Sequence, residues 1–147
     1  SIRGTMTMVS ESIVRDLFFG FDRSQLLIRC DTIDRAIADL GDCDEVRVRF
    51  VEPYGIEARI DIRHPKQPTA RLMREGNPLD LNGVQAGLDR IFEVSIPWAS
   101  LGARPGDTLQ FAIELYQQGQ SIGRTPSEGT IETSIPTSDF EKRLWQA

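Results

Sequence analysis

Histidine is almost missing from this chain: His64 is the only one in 147 residues. With one histidine, neither a Ser-His-Asp triad nor a multi-histidine metal site can be assembled. Cysteine is scarce too, and Cys30 and Cys43 have neither the number nor the spacing of a zinc site or a disulfide framework. Both read as free thiols, and Asp42 and Asp44 beside Cys43 disfavour its thiolate and with it a nucleophilic role. No apolar run approaches the ~20 residues of a membrane span, and no charged-then-apolar leader opens the chain, so the expectation is a cytoplasmic protein or a piece of a longer one, with no membrane partner. Positive charge is in deficit, 17 Lys and Arg against 22 Asp and Glu. A net charge of −5 argues against nucleic acid, which is held mainly by neutralising phosphates. No D-x-D-x-D run supplies the oxygen cluster of a calcium loop, and no metal or cofactor is expected.

What is present is a set of short alternating segments. Residues 91–96 are β-branched and aromatic enough for a strand, which Pro97 ends because proline has no N–H to give a neighbour. Residues 99–102 allow one helical turn, and Arg104-Pro105-Gly106-Asp107 has the composition of a β-turn. From residue 109 to 115, Leu109, Phe111, Ile113 and Leu115 alternate with Gln110, Ala112 and Glu114, the period of a strand with one face on a core.

The run Ile-Pro-Trp, Leu-Gly, Pro-Gly-Asp and a half-buried strand resembles a segment of the β-sandwich domains grouped with family 9 carbohydrate-binding modules and DOMON domains. More closely, it is similar to the C-terminal domain of some family 57 glycoside hydrolases of the α-amylase type. A second segment, LFFGFDRSQLLIRCD at residues 17–31, matches in the same order. The resemblance spans roughly two-thirds of the chain and implies a non-catalytic module that binds an α-glucan or another oligosaccharide beside the catalytic domain of its parent chain.

Residues 1–8 show no periodicity and read as a tail, linker or scar, leaving 9–147 as one domain. Residues 13–21 and 26–31 read as a hairpin covered on both faces and placed centrally in its sheet. Asp31 or Thr32 suits the cap of a short helix with Ile33, Ile37 and Leu40 on one face and Gly41 at its end. Residues 45–52 and 56–63 form a hairpin around Pro53-Tyr54-Gly55. An odd loop brings the two apolar sets together, and a three-residue loop pairs Phe50 with Ala58 and Val48 with Ile60. Its other face, including Arg47, Arg49, Glu57, Arg59 and Asp61, reads as a solvated ladder of mixed sign. Residues 64–87, interrupted by Pro65, Pro68 and Pro78, carry no firm pattern. Residues 116–120 turn the chain, 131–135 form a last strand, and 138–147 dock Phe140, Leu144 and Trp145 as a terminal helical turn. The fold class expected is an all-β antiparallel sandwich of immunoglobulin-like or DOMON-like architecture with one short helix.

No motif selects a nucleophile or an acid and base pair from the 22 carboxylates, so the chain reads as a non-enzyme. Haem would need axial ligands such as Met73 with His64, and their unpatterned surroundings argue against it. For a sugar, which stacks its C–H face on an aromatic ring, the candidates are Tyr116, Trp98, Tyr54 and Trp145. Tyr116 is the better placed, on the face opposite the core set with Glu114 and near Gln118. Trp98 reads first as core, since the Ile-Pro-Trp corner caps the sandwich in the domains it resembles. Arg124 matches a basic-x-Pro element found before the last strand of the hydrolase domains; it reads first as a pin of its loop to a carboxylate, and otherwise as a fork of hydrogen-bond donors to a sugar. The alternative function is a structural module for domain packing or oligomerisation. An exposed apolar sheet face favours that alternative, and a polar groove with a free ring favours sugar.

Overall fold

The computed structural model describes residues 2–7 and 13–137. They form two antiparallel sheets packed face to face, the sandwich expected from short alternating strands that must bury one face each. The smaller sheet holds β1 (Ile2–Thr7), β2 (Val14–Phe21), β3 (Gln25–Thr32), β8 (Gln85–Leu88) and β9 (Phe92–Pro97), ordered β1-β2-β3-β9-β8. The larger holds β4 (Glu45–Glu52), β5 (Ile56–Asp61), β6 (Thr69–Arg74), β7 (Asn77–Pro78), β10 (Thr108–Gln117) and β11 (Gln120–Thr125), ordered β11-β10-β4-β5-β6-β7. β12 (Ile131–Ser134) pairs with the first half of β10. Between the sheets Phe111 is fully buried, its ring 6.1 Å from Phe19 of the smaller sheet and 5.8 Å from Phe50 of its own. Aromatic contacts of this geometry add to the burial term.

Several expectations are corrected. The tail assigned to residues 1–8 instead supplies an edge strand, β1, on β2. The unpatterned stretch 64–87 contains β6, β7 and all but the last residue of β8, and what reads as loop around Arg124 is β11. The β4–β5 hairpin keeps the predicted parity but is offset by two residues: Val48 faces Ala58 and Val46 faces Ile60, so the loop is longer than Pro53-Tyr54-Gly55 alone. Gly55, at φ +76°, takes a backbone conformation that a side chain disfavours, and its carbonyl accepts from the N–H of Glu75 in the next turn.

The helix, α1 (Ala36–Asp39), starts later than Asp31 or Thr32, which stay in β3. No side chain caps it; the N–H groups of Ala36 and Ile37 instead donate to the carbonyls of Arg90 and Asp89 at 2.9 and 2.8 Å. Tethered there, it buries Ala36 and Leu40 and leaves Ile33 exposed. Residues 138–147, with Phe140, Leu144 and Trp145, lie outside the described residues.

Candidate functional site on the outer face of the larger sheet

Alternation along β4, β5, β6 and β10 sends the apolar residues inward and a second set outward, and cross-strand register sorts that outer set into rows. One row runs Tyr116, Glu45, Asp61, Thr69 across β10, β4, β5 and β6. The next runs Arg124, Glu114, Arg47, Arg59, Arg71, starting one strand earlier on β11. A third brings Ala112, Arg49, Glu57 and Met73 together.

The side chains of these rows are tied into one network. Glu114 accepts from Arg49 Nη1 at 2.6 Å, Ser121 Oγ at 3.0 Å and Tyr116 Oη at 3.4 Å. Arg49 also pairs through Nε with Glu57 at 2.9 Å, and Glu57 accepts Nε and Nη2 of Arg59 at 3.0 and 2.8 Å. The ion pairs thus link β10, β4 and β5 side by side, and the Ser121 hydrogen bond joins β11 to them. Burial pushes the Glu114 carboxyl up, but the hydrogen bonds from Arg49 and Ser121 and the charges of Arg49 and Arg124 outweigh it and hold the group below its ordinary value. Asp61 is held low chiefly by hydrogen bonds from Arg63, whose Nη2 lies 2.6 Å from Oδ2.

Arg47 lies over the Tyr116 ring, its Cζ 3.9 Å from the ring centroid, and gives its Nε to Glu45. A guanidinium so placed is held by the ring's negative face as well as by the carboxylate. The ring is therefore buried, at 9% exposure, and it offers its face to Arg47. Beside this stack the surface sinks into a depression of about 540 Å³, lined by Glu45, Arg47, Arg59, Asp61, Thr69 and Arg71 among others. Its rim at the β10–β11 turn is fixed by Asp44, whose Oδ2 accepts the backbone N–H of Gln118 at 2.6 Å, while Gln118 itself sits at φ +49°.

The sequence-derived candidates are dispersed. Tyr116 and Glu114 belong to the network, Arg124 stands opposite Glu114, and Gln118 lies on the turn beside it. Arg124 Nη1 donates to the carbonyl of Pro126 at 2.6 Å, so its pin is a carbonyl and not a carboxylate. Trp98 is buried in the core, with Phe21 6.1 Å away, and Tyr54 is 76% exposed on the β4–β5 turn. Arg47, Arg59, Arg71, Glu45, Asp61 and Thr69 were not singled out; four of them are visible in the alternation of β4 and β5, but only register shows that β6 continues their rows.

Other groups are chemically quiet. Burial first, then Asp42 and Asp44, push the Cys43 thiol up to about 11, and burial with Asp31 pushes Cys30 to about 12. His64 is exposed, whereas Met73 is buried within β6. Among the described residues no three His, Cys, Asp or Glu side chains gather in a way that could hold a metal ion. Comparison with family models, with curated proteins and with solved structures finds no match for this chain. What the face does chemically follows from its own donors and acceptors: it presents fixed guanidinium, carboxylate and hydroxyl groups to a polar solute.

Proposed function

We propose that the chain is a non-catalytic saccharide-binding module, an accessory domain of an α-glucan-active glycoside hydrolase. The observation that carries this is the depression beside the Arg47–Tyr116 stack, where Glu45, Asp61, Arg59 and Thr69 converge on one concave face. Sugars are bound by planar donors and acceptors that match vicinal hydroxyls, and ion-paired side chains provide both already oriented, at little entropic cost. The two matching segments supply the parent-enzyme part of the proposal. Contact with sugar is made through hydrogen bonds more than by stacking, since the Tyr116 ring is occupied by Arg47.

The isolated chain is expected to hydrolyse no glycoside and to be retarded in native gels containing soluble starch or glycogen. A shallow polar site implies a dissociation constant between about a micromolar and a millimolar. Thr69→Ala and Asp61→Ala each remove a polar group from this face, and both variants should reduce the retardation without shifting the thermal midpoint by more than a few degrees. Retardation that survives both, or none with any glucan, would move the assignment to domain packing. One observation favours that second reading: the outer face of the smaller sheet holds a smaller hollow of about 430 Å³ in which Phe18, Leu27 and Ile91 are only half-buried.

A further inference from the structure

Three arginines occupy one cross-strand row on the larger sheet: Arg47 faces Arg59, and Arg59 faces Arg71. Neighbouring strands are ~4.8 Å apart, and like charges placed directly opposite destabilise a sheet. The row beside it places Arg49 against Glu57, an arrangement that neutralises itself. The arginine row does so only in part. Arg47 is committed to Glu45 and the Tyr116 ring. Arg59 spends Nε and Nη2 on Glu57, which leaves the donors of Nη1. Arg71 is exposed and, among the described residues, has no carboxylate partner.

The carboxylates of the same depression are occupied in turn. Glu45 is held by Arg47, Asp61 by Arg63 through a fork of hydrogen bonds, and Asp44 by the N–H of Gln118. What remains uncommitted is cationic, the whole Arg71 guanidinium and one edge of Arg59, on a chain whose net charge is −5. A guanidinium pair on adjacent strands suits an oxyanion, which accepts two or more charge-assisted hydrogen bonds and relieves the repulsion within the row.

We propose that Arg59 and Arg71 bind the carboxylate or phosphate ester of an anionic saccharide, with the Thr69 hydroxyl left for a ring hydroxyl. The inference rests on the saccharide reading of this face and narrows its ligand class. A neutral glucan fills the same depression but leaves the arginine row uncompensated, so it binds more weakly.

The test is a titration of the whole chain at low salt, followed by the ¹⁵N–¹H signals of the arginine side chains, with four probes: methyl glucoside, glucose 6-phosphate, glucuronate and inorganic phosphate. A charge-assisted contact strengthens binding by about ten- to a hundredfold, so the sugar phosphate or the uronate should exceed methyl glucoside by at least ~10-fold. Whichever of the two wins identifies the source of the oxyanion. Arg71→Gln should erase the advantage of the anionic probes over methyl glucoside, and Arg59→Gln should reduce it, with Glu57 still held by Arg49. Added salt should weaken the anionic probes selectively. Equal binding of charged and neutral sugars, or an advantage that persists in both variants, overturns the inference while leaving the saccharide reading standing. Inorganic phosphate binding as tightly as the sugar phosphate overturns the saccharide class, and no binding by any sugar overturns both.

Discussion

Trp98→Ala is expected to lower the free energy of unfolding by about 3–5 kcal/mol, the cost of emptying a core site of this size. Trp98 follows Pro97 at the end of β9 and opens a 3-10 turn, Trp98–Leu101, that closes one end of the sandwich. The turn is fixed by backbone bonds: the Trp98 N–H donates to the carbonyl of Ser24, and its own carbonyl accepts from Ala103. Gly102, at φ +73°, lets the chain leave the turn. The ring is thereby held in the core against Phe21, 6.1 Å away, and its truncation removes that packing. Urea denaturation gives the measure. A loss below about 1 kcal/mol would mean the indole is not packed as core, and a ligand role for it would reopen.

Strands whose inner residues alternate cleanly were legible in the sequence. In β9 and in the first half of β10 the spacing of Phe92, Val94 and Ile96, and of Leu109 and Phe111, already states which face is inward. Others were hidden for identifiable reasons. β6 buries adjacent residues, Leu72 in the core and Met73 on the outer face, which destroys a period of two, and it lies among prolines that signal loop. β11 has almost no apolar residues because it is an edge strand whose first three residues are exposed. The hairpin register slipped by two because composition identifies a turn but does not state how many residues on each side leave the ladder.

The site was half legible for the same reason. Alternating charges on β4 and β5 can be read from the sequence, but their meaning depends on the neighbours that register supplies. Arg71 becomes the third arginine of a row only once β6 is aligned with β5. Glu114 looks solvent-facing from its place in the alternation, yet it is 8% exposed, because Arg49, Ser121 and Tyr116 close over it. Long polar side chains covering a sheet face leave no trace in an apolar pattern.

Glu114→Ala should cost about 2–3 kcal/mol, the worth of charged hydrogen bonds lost from a partly buried site. Both carboxylate oxygens are engaged, Oε1 by Arg49 and Oε2 by Ser121 and Tyr116, so the truncation orphans three donors at once. Arg49 keeps Glu57 and is 51% exposed, which holds the cost below that of a fully buried pair. Glu114→Gln retains the shape and one acceptor and should cost roughly half as much. The pH dependence identifies the cause. The folded-state carboxyl is depressed below its unfolded value of about 4.3, so its charge stabilises the fold above that value and the contribution is lost as the pH falls through the folded pKa. Asp61, also depressed, is lost in the same acid window in both proteins, and the difference between the original chain and Glu114→Gln isolates Glu114. Unfolding free energies measured from pH 7 to pH 3 should show a constant gap down to about pH 5 and a narrowing gap below about pH 4. A gap that stays constant to pH 3 would assign the stabilisation to packing of the side chain, and the network on this face would then hold its arginines without help from the Glu114 charge.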